Sequence, residues 1–130
     1  MAHPEQTRKF LRILWYAAIV VVVIASLLPS NSPAMRALGR LHISDKIEHF
    51  IAYTVLSFLP TIHERKRFIL GAAIGAAVLG VLLEYGQLWS GWRDFEYGDM
   101  LADSVGVCFG VAAGIPLRAT EVARSVLFGE

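Results

Sequence analysis

The chain has 130 residues, 55% of them hydrophobic and 18% charged, with a formal net charge of +1 and a mean hydropathy of +0.53. Soluble domains carry about 25% charged residues, so the composition argues against one and points to an integral membrane protein. The small net charge supplies no basic field for nucleic acid, and a single cysteine, Cys108, excludes an intrachain disulfide and a zinc–thiolate site.

Residues 1–12 form a basic segment containing Arg8, Lys9 and Arg12. The first apolar run covers residues 13–28, carries Trp15 and Tyr16 near its start and closes on Pro29. It has the basic start and apolar middle of a signal peptide, but no small-x-small cleavage site follows, so it reads as a retained helix. A polar stretch, 30–44, contains Pro33 and Gly39. The second run, 47–62, is interrupted by His49 and Tyr53, and Ser44-Asp45 before it has the form of a helix start. A tight charged turn occupies 63–67.

The third run, 68–89, is the clearest span, since about 20 residues cross a hydrocarbon core, and Glu84 is its one acid. The fourth, 100–117, is short and glycine-rich, with Asp103 inside and Pro116 at its end. The tail, 118–130, reads as a short amphipathic helix lying along the membrane or trailing in solution. The expected architecture is all-α: a polytopic membrane protein with four transmembrane helices in a small bundle over 13–117, flanked by cytoplasmic segments 1–12 and 118–130.

Four spans place both termini on one side. Eight of the 12 lysines and arginines fall on that side and four (Arg36, Arg40, Lys46 and Arg93) on the other. The positive-inside rule therefore puts both termini in the cytoplasm.

Ionisable groups inside apolar segments are costly in a bilayer and mark function by default. At about 100° per residue, Lys46, His49 and Tyr53 fall within about 60° of one another on the second helix, and Asp45 widens the arc to about 100°. On the third helix Gly80, Glu84 and Gln87 share one stripe with Ala73 and Ala77; Gly71 and Gly75 form a small-x-x-x-small pair beside it. On the fourth, Asp99, Asp103, Gly106 and Gly110 share a face. The small-residue stripes of the third and fourth helices are expected to pack against each other. From a rise of about 1.5 Å per residue, His49, Glu84 and Asp103 lie roughly 5–8 Å below the outer ends of their helices. They form the floor of one expected outward-opening polar pocket, with Arg93 from the loop as a cationic lid. Plainer roles compete at several positions: Asp99 as a helix cap, Lys46 snorkelling to headgroups, and Trp89, Trp92 and Tyr97 as an interfacial belt.

These residues in this order resemble the VanZ-like family. The likeness runs through Ser26-Leu-Leu-Pro29, Asp45-Lys46-Ile-Glu-His49-Phe50-x-x-Tyr53, Glu84-x-x-Gln87, Arg93 and Asp99-x-x-x-Asp103-x-x-Gly106. One departure is Asp103, where the family pattern more often has Asn. The resemblance implies a small protein of the bacterial inner membrane and cell envelope; the family's namesake is linked to teicoplanin resistance, and no mechanism carries over with it.

Three functions remain open from sequence. The pocket binds or modulates a lipid-linked envelope precursor or a lipoglycopeptide; or it is an outer-leaflet enzyme acting on a lipid phosphate or glycan ester; or the polar groups are structural or ion-coupled. No nucleophile motif and no metal-ligand spacing of recognised type is present, so no cofactor is implied, and binding ranks first. Oligomers are compatible with all three. No matching polar set is expected at the cytoplasmic end, which argues against a through-channel.

Overall fold

The computed structural model of the chain describes residues 3–28, 32–33, 36–37, 45–91 and 97–130. Among these the chain forms five helices and no strand: α1 (Pro4–Leu27), α2 (Asp45–His63), α3 (Lys66–Ser90), α4 (Tyr97–Arg118) and α5 (Glu121–Phe128). Three of them, α1, α3 and α4, are long and apolar enough to cross a membrane. Their outward faces carry a belt of exposed apolar side chains, including Val20 and Val21 on α1, Leu70, Ile74 and Leu82 on α3, and Leu101 and Phe109 on α4. Contiguous apolar surface on this scale is what a lipid solvent favours and water does not.

The basic segment is not separate from the first span. Pro4 sits in the first turn, Glu5 lies near the positive end of the helix dipole, and the His3 ring accepts a hydrogen bond from the Glu5 amide. Helix α1 therefore runs unbroken through residues 4–12. Pro116 likewise lies inside α4, which continues to Arg118.

Helix α2 carries the most polar residues of the four longer helices and is also the most enclosed. It packs against α1, α3 and α4, most extensively against α4. Its buried side chains include Tyr53, Leu56, Ser57, Thr61 and His63. The contact with α4 is close because Gly106, Gly110 and Gly114 present no side chain to it. A Cβ at Gly106 would lie 2.6 Å from the Phe50 carbonyl oxygen, and one at Gly110 would lie 2.4 Å from that of Thr54.

This corrects the expected pairing of stripes: the glycines of α4 face α2 rather than α3. On α3, Gly80 lies against Asp103 and Tyr53, and Gly86 against Leu27 of α1. Gly71 and Gly75 have nothing within 4 Å of an added Cβ. They line an apolar groove of about 270 Å³ together with Trp15, Ile19, Leu56 and Leu79.

Pro60 lies inside α2 and has no N–H, so the Leu56 carbonyl four residues earlier loses its helical donor. The Trp15 indole of α1 donates to that carbonyl at 2.9 Å. A proline gap in one helix is thus closed by a side chain of another, as a low-dielectric interior requires. Replacing Trp15 by Phe is expected to destabilise the protein by about 1–3 kcal/mol, the cost of an unsatisfied buried carbonyl. In a Pro60→Ala background, where the helix supplies its own donor, the same replacement should cost clearly less. Denaturant unfolding of the four proteins in detergent checks this; an equal loss in both backgrounds would refute it.

The cytoplasm-expected end is also ordered. Glu64, in the turn before α3, takes a hydrogen bond from Arg12 Nε at 3.0 Å. Arg118 Nη1 donates to the Thr61 and Glu64 carbonyls at 2.6 and 2.8 Å, capping the end of α2. His63 is fully buried there, with its ring edge on Trp15 at 5.7 Å and Nδ1 3.3 Å from Glu64 Oε1. A polar set therefore does exist at this end, where none was expected. Nor does the tail trail away. Leu127 of α5 is buried with Leu59 and Ile62, and Arg8 and Arg118 lie over the Phe128 ring.

Candidate polar site at the end opposite the termini

The site forms where α2 and α4 meet at the end opposite the termini, with α3 closing one side. On α2, Lys46, His49 and Tyr53 are spaced by three and four residues and so rise along one face. On α4, Asp99 and Asp103 are one turn apart on the facing stripe. Glycine contacts fix the register between the two helices, and the charges meet in sequence.

Lys46 Nζ pairs with Asp99 Oδ1. His49 Nδ1 lies 2.7 Å from Asp103 Oδ1, and His49 Nε2 lies 3.7 Å from Asp99 Oδ2. The imidazole is thus bracketed by two carboxylates. The Tyr53 ring lies nearly parallel to it, 3° between planes and 6.4 Å between centroids.

Helix α3 contributes Glu84, which is 1% exposed. His49, Glu84 and Asp103 each offer a ligand atom within 4.8 Å of the other two. One turn before Glu84 comes Gly80, where a Cβ would sit 2.8 Å from Asp103 Oδ2 and 3.2 Å from Tyr53 Cε1. The missing side chain lets α3 approach the His49–Asp103 pair. Asp103 Oδ2 is itself buried and has no hydrogen-bond partner among the described residues.

The helical-phase candidates separate into three groups. Lys46, His49, Tyr53, Glu84, Asp99 and Asp103 converge. Asp99 is not a cap: it is the third residue of α4, buried, and bonded to Lys46. Lys46 is correspondingly not directed to headgroups alone. Gln87 faces a different neighbour, its Nε2 donating to the Ser26 carbonyl of α1 at 2.8 Å, so it ties α3 to α1. Arg93 and the side chain of Asp45 lie outside the described residues, as do Pro29 and Trp92 of the expected motif and belt. Trp89 and Tyr97 are highly exposed near this end, as interfacial aromatics are.

Gly98 was missed by sequence reasoning. A Cβ there would lie 2.8 Å from Lys46 Cε, so its absence gives the lysine stem a path to Asp99. Its only sequence sign is a glycine directly before an acid near a helix start, which is common elsewhere.

Comparison of the chain with protein-family models, with curated proteins and with solved structures finds no match. The geometry above is therefore what bears on function. Three buried carboxyl groups meet the imidazole of His49 and the partly exposed ammonium of Lys46. There, charge interactions are stronger than at an exposed surface. An imidazole held between carboxylates can bind an anion when protonated, accept a proton when neutral, or ligate a metal.

Proposed function

We propose that this chain is a VanZ-like protein of the bacterial inner membrane whose outer-end polar cluster binds the headgroup of a lipid-linked envelope component or a lipoglycopeptide of the teicoplanin kind. In this reading α2 is a fourth span, enclosed by the three apolar ones, and both termini are cytoplasmic. Lys46 and His49 meet phosphate or carboxylate, with Arg93 above them, and Glu84 and Asp103 meet hydroxyls and amines. The observation that carries it is the convergence of His49, Glu84 and Asp103 from three helices into one buried group. Helix packing alone does not require polar side chains from three helices at one depth.

Binding of a polyprenyl-linked envelope precursor and of teicoplanin to the protein in nanodiscs tests the proposal. Glu84→Gln and His49→Gln are expected to weaken binding about 10-fold or more, corresponding to loss of one charge-assisted hydrogen bond of about 1.5–3 kcal/mol, while melting stays near that of the parent. Equal binding by parent and variants, or unfolding of both variants, would refute it. A second function, outer-leaflet catalysis on a lipid phosphate or glycan ester, is favoured by one observation: His49 stands between Asp99 and Asp103, as an oriented general base does. Turnover of the bound precursor by the parent, lost in His49→Gln, would select it.

A further inference from the structure

The convergence of one imidazole and two carboxylates has a more specific chemistry than headgroup polarity. We infer that His49, Glu84 and Asp103 form a binding site for one divalent transition-metal ion of the Zn²⁺ or Mn²⁺ type. The inference rests on the outer-end cluster being a ligand site, and the experiment below separates the two.

Four observations meet here. The donor set is complete for an open site: three protein ligands leave a coordination position for an exogenous oxygen. The donor atoms lie within 4.8 Å of one another. Two atoms each about 2.0–2.2 Å from one ion are separated by roughly 3–4 Å, so the set must draw together by about an ångström to hold one. A carboxylate that could give such a site its outer support lies close by. A ligating histidine commonly donates its second ring N–H to a carboxylate, which fixes the tautomer. With Nδ1 toward the ion, His49 Nε2 faces Asp99 Oδ2 at 3.7 Å, and Asp99 is held by Lys46.

The fourth observation points to a ligand directly. Asp103 is 2% exposed, and its Oδ2 has no hydrogen-bond partner among the described residues. That oxygen lies beside Gly80, one turn from Glu84 on the same stripe of α3, where any larger residue would fill the space. Imidazole favours zinc and later transition ions, and carboxylates favour harder ones. A mixed set with one nitrogen selects Zn²⁺ or Mn²⁺ over Ca²⁺. On binding, the His49–Asp103 hydrogen bond opens, and any proton on the ligating Nδ1 is released to solvent.

The test uses the full chain purified in detergent and stripped with EDTA. Titration with ZnCl₂ or MnCl₂ alone, followed by desalting and elemental analysis, should give one ion per chain. Co²⁺ should give visible absorption bands of a low-symmetry nitrogen–oxygen site. Glu84→Gln and Asp103→Asn, which keep side-chain shape, should each lower affinity at least 10-fold while their metal-free melting stays within a few degrees of the parent. Sub-stoichiometric metal, or unchanged affinity in both variants, would overturn the inference. Unfolding of both variants shifts the test to His49→Gln and to proton release on Zn²⁺ addition; absence of release together with unchanged affinity would overturn it equally. Headgroup binding measured in EDTA supplies the separation. If it persists without metal binding, only the metal site falls; if metal binds and no headgroup does, only the headgroup reading falls.

Discussion

Gly110→Ala is expected to loosen the bundle by about 1–3 kcal/mol, the usual cost of overpacking, and Gly110→Leu to leave no folded protein. The added Cβ would lie 1.9 Å from Ser57 Oγ, 2.4 Å from the Thr54 carbonyl oxygen and 2.9 Å from the Phe58 nitrogen. The hydroxyl can rotate away, but the two backbone atoms move only if α2 does. Ser57→Ala should therefore fail to rescue Gly110→Ala. Gly75→Ala, with nothing within 4 Å of the new carbon, should change stability by less than about 0.5 kcal/mol. Denaturant unfolding in detergent, with size-exclusion profiles, reads both. If the two alanine variants behave alike, the α2–α4 contact is not as close as described.

The second large effect concerns the imidazole–carboxylate pair. His49→Leu removes the partner at 2.7 Å from Asp103 and leaves both oxygens of that carboxylate without a hydrogen bond among the described residues. Breaking a buried pair from one side costs about 3–5 kcal/mol, because the remaining charge is neither solvated nor matched. His49→Leu/Asp103→Leu removes both partners and should recover most of that loss, giving a coupling of about 2 kcal/mol or more in a double-mutant cycle. Asp103→Asn keeps an acceptor for the ring and should cost about 1 kcal/mol. A fully additive cycle would show that the pair contributes nothing beyond its members. Because both predictions are measured without ligand, they hold whatever the cluster binds.

Helical periodicity explains how much of this arrangement was readable beforehand. The long apolar runs of α1, α3 and α4 marked their spans, and the phase of Lys46, His49 and Tyr53 placed them on one face. Rise per residue put His49, Glu84 and Asp103 at one depth. What periodicity lacks is the identity of the helix opposite each face. Gly106 and Gly110 share a stripe whichever neighbour they meet, so their pairing with α2 was invisible, as was the turn of Gln87 toward α1. His63 was obscured differently. A histidine beside Glu64, Arg65 and Lys66 reads as part of a solvated turn, yet α1 and α5 cover that end and bury it. Long-range partners such as Trp15 and Leu56 leave no local trace at all, since Pro60 frees the Leu56 carbonyl and its donor lies 41 positions from Leu56 in the chain.

The burial of α2 among more apolar neighbours bears on how such a chain is assembled. A segment carrying Lys46, Glu48 and His49 is a poor candidate to partition alone from a translocation channel into lipid. Under the proposed reading of α2 as a fourth span, its apolar successor begins after only Glu64 and Arg65, so α2 and α3 are suited to enter as one hairpin, the second arm carrying the first. Lys46 and His49 then await Asp99 and Asp103, which lie on the last of the long helices to be synthesised. On this view the polar cluster matures late, and a ribosome-bound intermediate ending before α4 would hold an incompletely matched helix, dependent on an insertase or on Glu84 until synthesis finishes.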